Sequence, residues 1–259
     1  MTMTEQRYDP DEIRDALRME LETDRLLGVR DWPVAPKSPS QQRTQAPEPD
    51  RAPEPVSNAE LEARNARLKE LDEKQVRACT ACALAKTRTK TVFGQGSAAA
   101  RIMFVGEAPG FEEDRQGLAF VGRAGQLLTR MVQAMGLTRD EVFIGNVLKC
   151  RPPNNRTPSH DEIAACSGYL FEQISIIDPQ VLIALGAPAS QTLLNTHDSI
   201  GRLRGRWHNF MLMEGPLAGK TIPLMATYHP AYLLRSPGEK GKTWADLQMV
   251  MAELGLRRP

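Results

Sequence analysis

Spacing sorts the apolar residues of this chain into stretches of different kinds. From Asp9 to Leu27 they recur at helical intervals, at Ile13, Leu17, Leu21, Leu26 and Leu27, behind Asp9-Pro10 as a helix start. From Trp32 to Val56 the periodicity disappears among prolines, Gln41-Gln42, serines and charges. That composition cannot bury a core and predicts a disordered or polyproline-like linker. Asn58 to Arg77 reads as a charged helix leading to Cys79. From Arg101 onward, short apolar runs alternate with helical spacing. Strands are expected at 102–105, 142–147, 181–186 and 221–227, and helices over 125–135, from 159 through Ile174, up to Leu194, and over 244–254. Ser159 with Glu162 forms a capping box for the second of these helices. Strands alternating with helices predict an α/β domain, a three-layer α/β/α sandwich with a mostly parallel central sheet. The chain thus divides into a helical extension (1–31), a proline-rich linker (32–57), a lead-in helix (58–78) and the main domain (79–256).

In sheets of this kind ligands bind outside the carboxyl ends of the strands, so the residues just after each strand are the ones to question. The first strand runs into Gly106-Glu107-Ala108-Pro109-Gly110, which lacks the spacing of a P-loop or dinucleotide fingerprint. It makes a sharp turn with exposed backbone N–H groups and one carboxylate, Glu107, which reads equally as a solvated loop residue. Phe120 precedes a glycine-started helix and reads either as core or as a stacking ring. Asn146 ends an apolar strand and needs hydrogen-bond partners. Its amide can both donate and accept, which suits reading the edge of a base, and it equally suits an Asx turn. His229, in Tyr228-His229-Pro230, is the one histidine of four at a strand end in a rigid, proline-containing loop. Together these residues offer a stacking ring, an edge reader and polar groups able to support developing charge.

Net charge is +1, so no polycationic character drives DNA binding, although local patches remain possible carriers of it. No stretch approaches the ~18 apolar residues of a membrane span. The polar, acidic start predicts no secretory signal and a cytoplasmic protein. Four cysteines, Cys79, Cys82, Cys150 and Cys166, comprise one Cys-x-x-Cys pair and two singles downstream. Cys-x-x-Cys offers two ligands to one centre, and four thiolates suit zinc or a [4Fe–4S] cluster equally; the alternative is four reduced core cysteines.

The motifs at Gly106–Gly110, at Gly122-Arg123-Ala124-Gly125-Gln126-Leu127-Leu128 and at Asn146-Val147-Leu148-Lys149-Cys150-Arg151-Pro152-Pro153 resemble those of the iron–sulfur family-4 uracil-DNA glycosylases. So do His229-Pro230 with Leu233-Leu234-Arg235, and the four cysteines; the resemblance runs from Cys79 to Leu254. It implies a monofunctional enzyme that flips uracil out of single- or double-stranded DNA and hydrolyses its N-glycosidic bond. That reaction leaves an abasic site and begins base-excision repair. It also implies one [4Fe–4S] cluster on the four cysteines, as a brace. By motif position, Phe120 stacks on uracil, Asn146 bonds its Watson–Crick edge and the backbone of Ala108 lines the pocket. Glu107 positions water or stabilises the cationic sugar, and His229 stabilises charge on uracil O2. Leu233, Leu234 or Arg235 enters the duplex. Arg151 grips phosphate, as do Lys149, Arg156, Arg202, Arg204 and Arg206 on the same reading. Ala108 stands where relatives carry glycine, which an alanine satisfies if only its backbone is used. Residues Gln116 to Arg123 hold no basic insertion and no histidine, which separates the chain from relatives that trap the abasic sugar covalently. The resemblance further suggests a monomer, with a replication or repair partner for the amino-terminal extension. Competing readings are a glycosylase for another deaminated base, a non-catalytic or redox-sensing iron–sulfur DNA-binding protein, and a zinc-braced interaction protein.

Overall fold

The computed structural model describes residues 56–213 and 215–257; the expected amino-terminal helix and all but the end of the proline-rich linker lie outside them. Helix α1 (Asn58–Glu70) starts where the Ser57 side chain accepts a hydrogen bond from the Glu60 amide, and it passes into a π-helical turn over Leu71–Val76. After a 3-10 turn at Ala83–Lys86 come β1 (Gln95–Gly96), β2 (Ile102–Gly106), α2 (Phe111–Gln116), α3 (Arg123–Ala134) and β3 (Phe143–Asn146). Then follow α4 (His160–Ile177), β4 (Val181–Leu185), α5 (Ala187–Leu194), α6 (Ile200–Leu203), β5 (Trp207–Met211), β6 (Thr221–Thr227), α7 (Pro230–Arg235) and α8 (Lys240–Glu253).

The strands form one sheet in the order β1-β3-β2-β4-β6-β5. The inner four run parallel, and the short edge strands β1 and β5 pair antiparallel. Every residue of β2, β3 and β4 is buried, as a sheet covered on both faces requires. On one face Met103, Val105, Leu182 and Ala184 share a core with Leu68, Leu71, Leu170 and Ile174 from α1, its π turn and α4. The alternate positions Phe104, Ile144 and Ile183 point to the opposite face. There α8 lies along β6, and α3 packs against α7. The three-layer expectation therefore holds, with the capping box at Ser159 and Glu162 formed as expected. The chain leaves β2 for β3 on one side and returns to β4 on the other, so the topological switch falls between β2 and β4.

Three local expectations change. Edge strands β1 and β5 were not foreseen, because two residues carry no period and His208-Asn209 interrupts the apolar signal of Trp207–Met211. Residues 230–235 form a helix rather than a loop, since a proline at the first helical position is preset for helix instead of breaking it. The closing helix starts at Lys240, earlier than expected.

Asp246 ties α8 to the end of β6. It is 1 % exposed and accepts from Arg204 Nη2 at 2.7 Å and Nε at 3.1 Å, and from Thr227 Oγ1 at 2.6 Å. Arg204 is thereby committed to the fold and also lies over the Tyr228 ring. Removing one member of a buried charged pair leaves the other uncompensated. We expect Asp246→Ala to cost about 3 kcal/mol in urea denaturation, while Arg202→Ala, at an exposed surface pair, stays within about 0.5 kcal/mol of wild type.

Candidate active site

Parallel pairing between β2 and β3 continues past the sheet. The Val147 amide donates to the Gly106 carbonyl at 2.9 Å, and the Leu148 amide donates to the Glu107 carbonyl at 3.0 Å. The turn after β2 is thus held beside the segment after β3. Asn146 is 1 % exposed, and its Oδ1 has no hydrogen-bond partner. A buried acceptor left unsatisfied costs about 1–3 kcal/mol, so this oxygen is poised for a ligand that donates. A Cβ on Gly106 would sit 2.4 Å from that Oδ1 and 2.6 Å from Phe120 Cζ. The Asn146 amide and the Phe120 ring therefore converge over a position where any side chain would collide with them.

Phe120 is buried and adopts φ 53°, in the left-handed region that a phenylalanine rarely enters. Two charged residues hold it there. Arg139 donates to the Ala119 carbonyl (2.7 Å) and the Phe120 carbonyl (3.2 Å), while Glu113 Oε1 accepts from the amides of Val121 and Gly122, both at 2.8 Å. Gly125 completes the fit, because a Cβ there would lie 1.9 Å from the Phe120 carbonyl oxygen. The sequence alone shows neither Arg139 nor Glu113 as a site residue: both look like ordinary surface charge, and only the loop they clamp gives them a role.

His229 caps the start of α7, its Nδ1 accepting from the Ala231 amide at 3.1 Å. That bond leaves the proton of the neutral ring on Nε2. Burial, aided by the positive charge of Arg235, lowers His229 to about 4, so the ring is neutral near pH 7. Its ring centroid stands 5.7 Å from that of Phe120. Glu107, Leu185, Gly186, Tyr228, His229 and Tyr232 line a cleft of about 410 Å³ at the switch between β2 and β4. Burial raises the Glu107 carboxyl above the ordinary carboxylate range. Ala108 is half-buried and packs against the apolar core.

The residues expected at the DNA surface separate. Leu233 is 1 % exposed and belongs to the core side of α7, so it cannot enter a duplex. Leu234 is half-buried and Arg235 exposed; Tyr232, with its ring 5.0 Å from Tyr228, also faces outward and was missed. Arg151 stands over the exposed Phe111 ring at 5.2 Å. Lys149 is fully buried, and Arg156 is bound by both carboxylate oxygens of Glu162.

All four cysteines line one cavity, together with Arg88, Lys149 and Tyr169. Hydrogen-bond donors face the sulfurs: Arg88 Nη1 lies 3.2 Å from Cys150 Sγ, and the Lys149 amide 3.2 Å from Cys166 Sγ. Burial raises Cys150 and pushes Cys166 up to about 11, so holding them as thiolates requires a positive centre between them. Among the described residues no three His, Cys, Asp or Glu side chains gather closely enough for a single ion. One shared cavity lined by all four cysteines, with donors aimed at two of the sulfurs, fits a metal centre held by four thiolates.

With this geometry in place, the sequence pattern of the "Uracil DNA glycosylase superfamily" matches residues 93–248. The chain belongs to that superfamily. It is 47 % identical over 170 residues to a "Type-4 uracil-DNA glycosylase" of Thermotoga maritima, covering 65 % of this chain and 84 % of the relative. Proteins of the same description from Pyrobaculum aerophilum (43 % identity, 67 % and 88 % covered) and Archaeoglobus fulgidus (40 % identity, 74 % and 97 % covered) are similar in the same way. Among the described residues no helix is long and apolar enough to cross a membrane.

The depressed His229 pKa has a stability consequence. An unfolded histidine takes up its proton near 6.5 and the folded one near 4, so between these values the unfolded chain binds more protons. Stability from the neutral ring is complete above pH 6.5 and is lost as pH falls toward 4. We expect urea midpoints to drop over that window in wild type, with a shallower slope in His229→Gln.

Proposed function

We propose that this chain is a uracil-DNA glycosylase that hydrolyses the bond between uracil N1 and the deoxyribose C1′, leaving an abasic site in single- or double-stranded DNA. The observation that carries this reading is the buried, unpartnered Oδ1 of Asn146. Uracil presents an N3–H donor flanked by carbonyl acceptors, which a side-chain amide complements with one acceptor and one donor. Cytosine presents an acceptor at N3 and a donor at C4, and the same amide would face it with like against like.

In this reading the uracil nucleotide is flipped into the cleft. Phe120 stacks on the base in the fixed orientation that Arg139 and Glu113 impose. As the N1–C1′ bond lengthens, its electron pair moves onto the base, and negative charge collects on O2. His229, neutral with its proton on Nε2, donates to that oxygen; a donor already in place in a poorly hydrated site is worth several kcal/mol (about 2.7–4). Glu107 lines the same cleft, where its carboxylate orients the attacking water and faces the cationic sugar. The Ala108 backbone lines the pocket floor. Outside it, Leu234 fills the space left in the strand, while Arg235 and Arg151 hold phosphates. Cys79, Cys82, Cys150 and Cys166 would hold a [4Fe–4S] cluster, which supplies a brace between the start of the domain and the segment beyond Asn146.

A uracil-containing oligonucleotide treated with the protein and then alkali tests the activity. We expect cleavage by wild type and a loss of about 100-fold or more in Asn146→Ala and in His229→Ala; an intact oligonucleotide with wild type would overturn the reading. Independently, the purified protein should be brown, with broad absorbance near ~400 nm and about four irons per chain. Cys150→Ser should lose that colour together with thermal stability.

A further inference from the structure

Lys149 is a buried cation whose bonds run to two different parts of the proposed machinery. It is 1 % exposed, and among the described residues it has no carboxylate partner. Its Nζ donates to the Asn146 carbonyl at 2.8 Å and to Gln173 Oε1 at 2.6 Å. Gln173 in turn donates from Nε2 to the Phe93 carbonyl at 2.9 Å, joining α4 to the chain just before β1. The main chain of the same residue is also engaged. The Lys149 amide donates to Cys166 Sγ at 3.2 Å, and its carbonyl accepts from the Val92 amide at 2.8 Å.

These bonds fix the peptide plane that carries the base reader. The plane between Asn146 and Val147 is pinned at its oxygen by Lys149 Nζ and at its nitrogen by the Gly106 carbonyl. With the backbone held on both sides, the Asn146 side chain has only its own torsions left. The lysine directs its donors to a main-chain carbonyl and to Gln173, so the Asn146 Oδ1 stays free for a ligand. A fully buried amine with no carboxylate beside it is costly to keep for packing alone, where a leucine or methionine of similar length would serve.

We propose that Lys149 is a positioning residue: through the Asn146 carbonyl and Cys166 Sγ it makes the four-cysteine segment and the base-reading amide move as one body. The inference rests on the glycosylase reading above. It touches no reacting atom; it acts through Asn146.

A double-mutant cycle separates this role from general support of the fold. Single-turnover excision at saturating uracil-containing DNA would be measured for wild type, Lys149→Met, Asn146→Ala and the double variant, alongside affinity for the abasic product. We expect Lys149→Met to slow excision about 10- to 100-fold, with product affinity unchanged. In the Asn146→Ala background the same substitution should add no further loss. Losses that multiply in the double variant, or a Lys149→Met enzyme as fast as wild type, would overturn the proposal. If Lys149→Met does not fold, Gln173→Leu enters the same cycle, since it unhooks the ammonium from α4 while leaving Lys149 and the cysteines in place. A wild-type protein inactive on uracil would sink the glycosylase reading instead.

Discussion

Everything at the rim depends on two backbone hydrogen bonds made after the sheet has formally ended, from Val147 to Gly106 and from Leu148 to Glu107. Parallel strands normally diverge at their carboxyl ends, where loops take over. Here two further backbone bonds follow the last paired residues, so the turn carrying Glu107 and the segment carrying Asn146 share one frame. Without that continuation each group would ride on an independent loop, and a pocket tight enough to bring Asn146 Oδ1 and the Phe120 ring over Gly106 would not persist. The neighbouring switch between β2 and β4 then supplies the cleft that Glu107 and His229 both line.

Around this frame, charged side chains are used to satisfy main-chain groups more than to face solvent. Arg139 takes the carbonyls of residues 119 and 120, and Glu113 takes the amides of 121 and 122. Lys149 takes the Asn146 carbonyl, and Asp246 holds the strand that delivers His229 through Thr227. Charge-assisted bonds of this kind are roughly twice as strong as neutral ones, and each closes off a loop conformation that water would otherwise stabilise. The loops of the site are thereby held by side-chain bonds before any ligand arrives, and the buried Asn146 Oδ1 is left without a partner.

Much of this was legible in the sequence. The parallel strands are short apolar runs ending in Gly106, Asn146 or Gly186, and burial on both faces makes such runs unmistakable. Asn146 was conspicuous as a polar residue closing an apolar strand, and His229 as the histidine beside a proline at a strand end. The misplaced surface residues share one cause, that burial is decided by partners far along the chain. Leu233 and Leu234 look equivalent in sequence, yet the pitch of α7 turns one into the core and leaves the other half-open. Lys149, Arg151 and Arg156 read as one basic run, but a lysine can be drawn inside when Gln173 and a carbonyl wait for it. Arg204 was indistinguishable from Arg202 until Asp246, 42 residues away, was found against it. The edge strands had no pattern to read, being either too short or interrupted by polar residues.

The left-handed backbone of Phe120 constrains which aromatic surfaces this scaffold can present. At φ 53° a β-branched side chain is excluded on steric grounds, whatever its affinity for a base. Tyrosine, tryptophan and histidine meet the same backbone without that clash, and asparagine or glycine would relax it at the expense of the stacking face. The residues that can replace Phe120 are thus fewer than side-chain size alone suggests. Their boundary is drawn by a torsion angle in the chain.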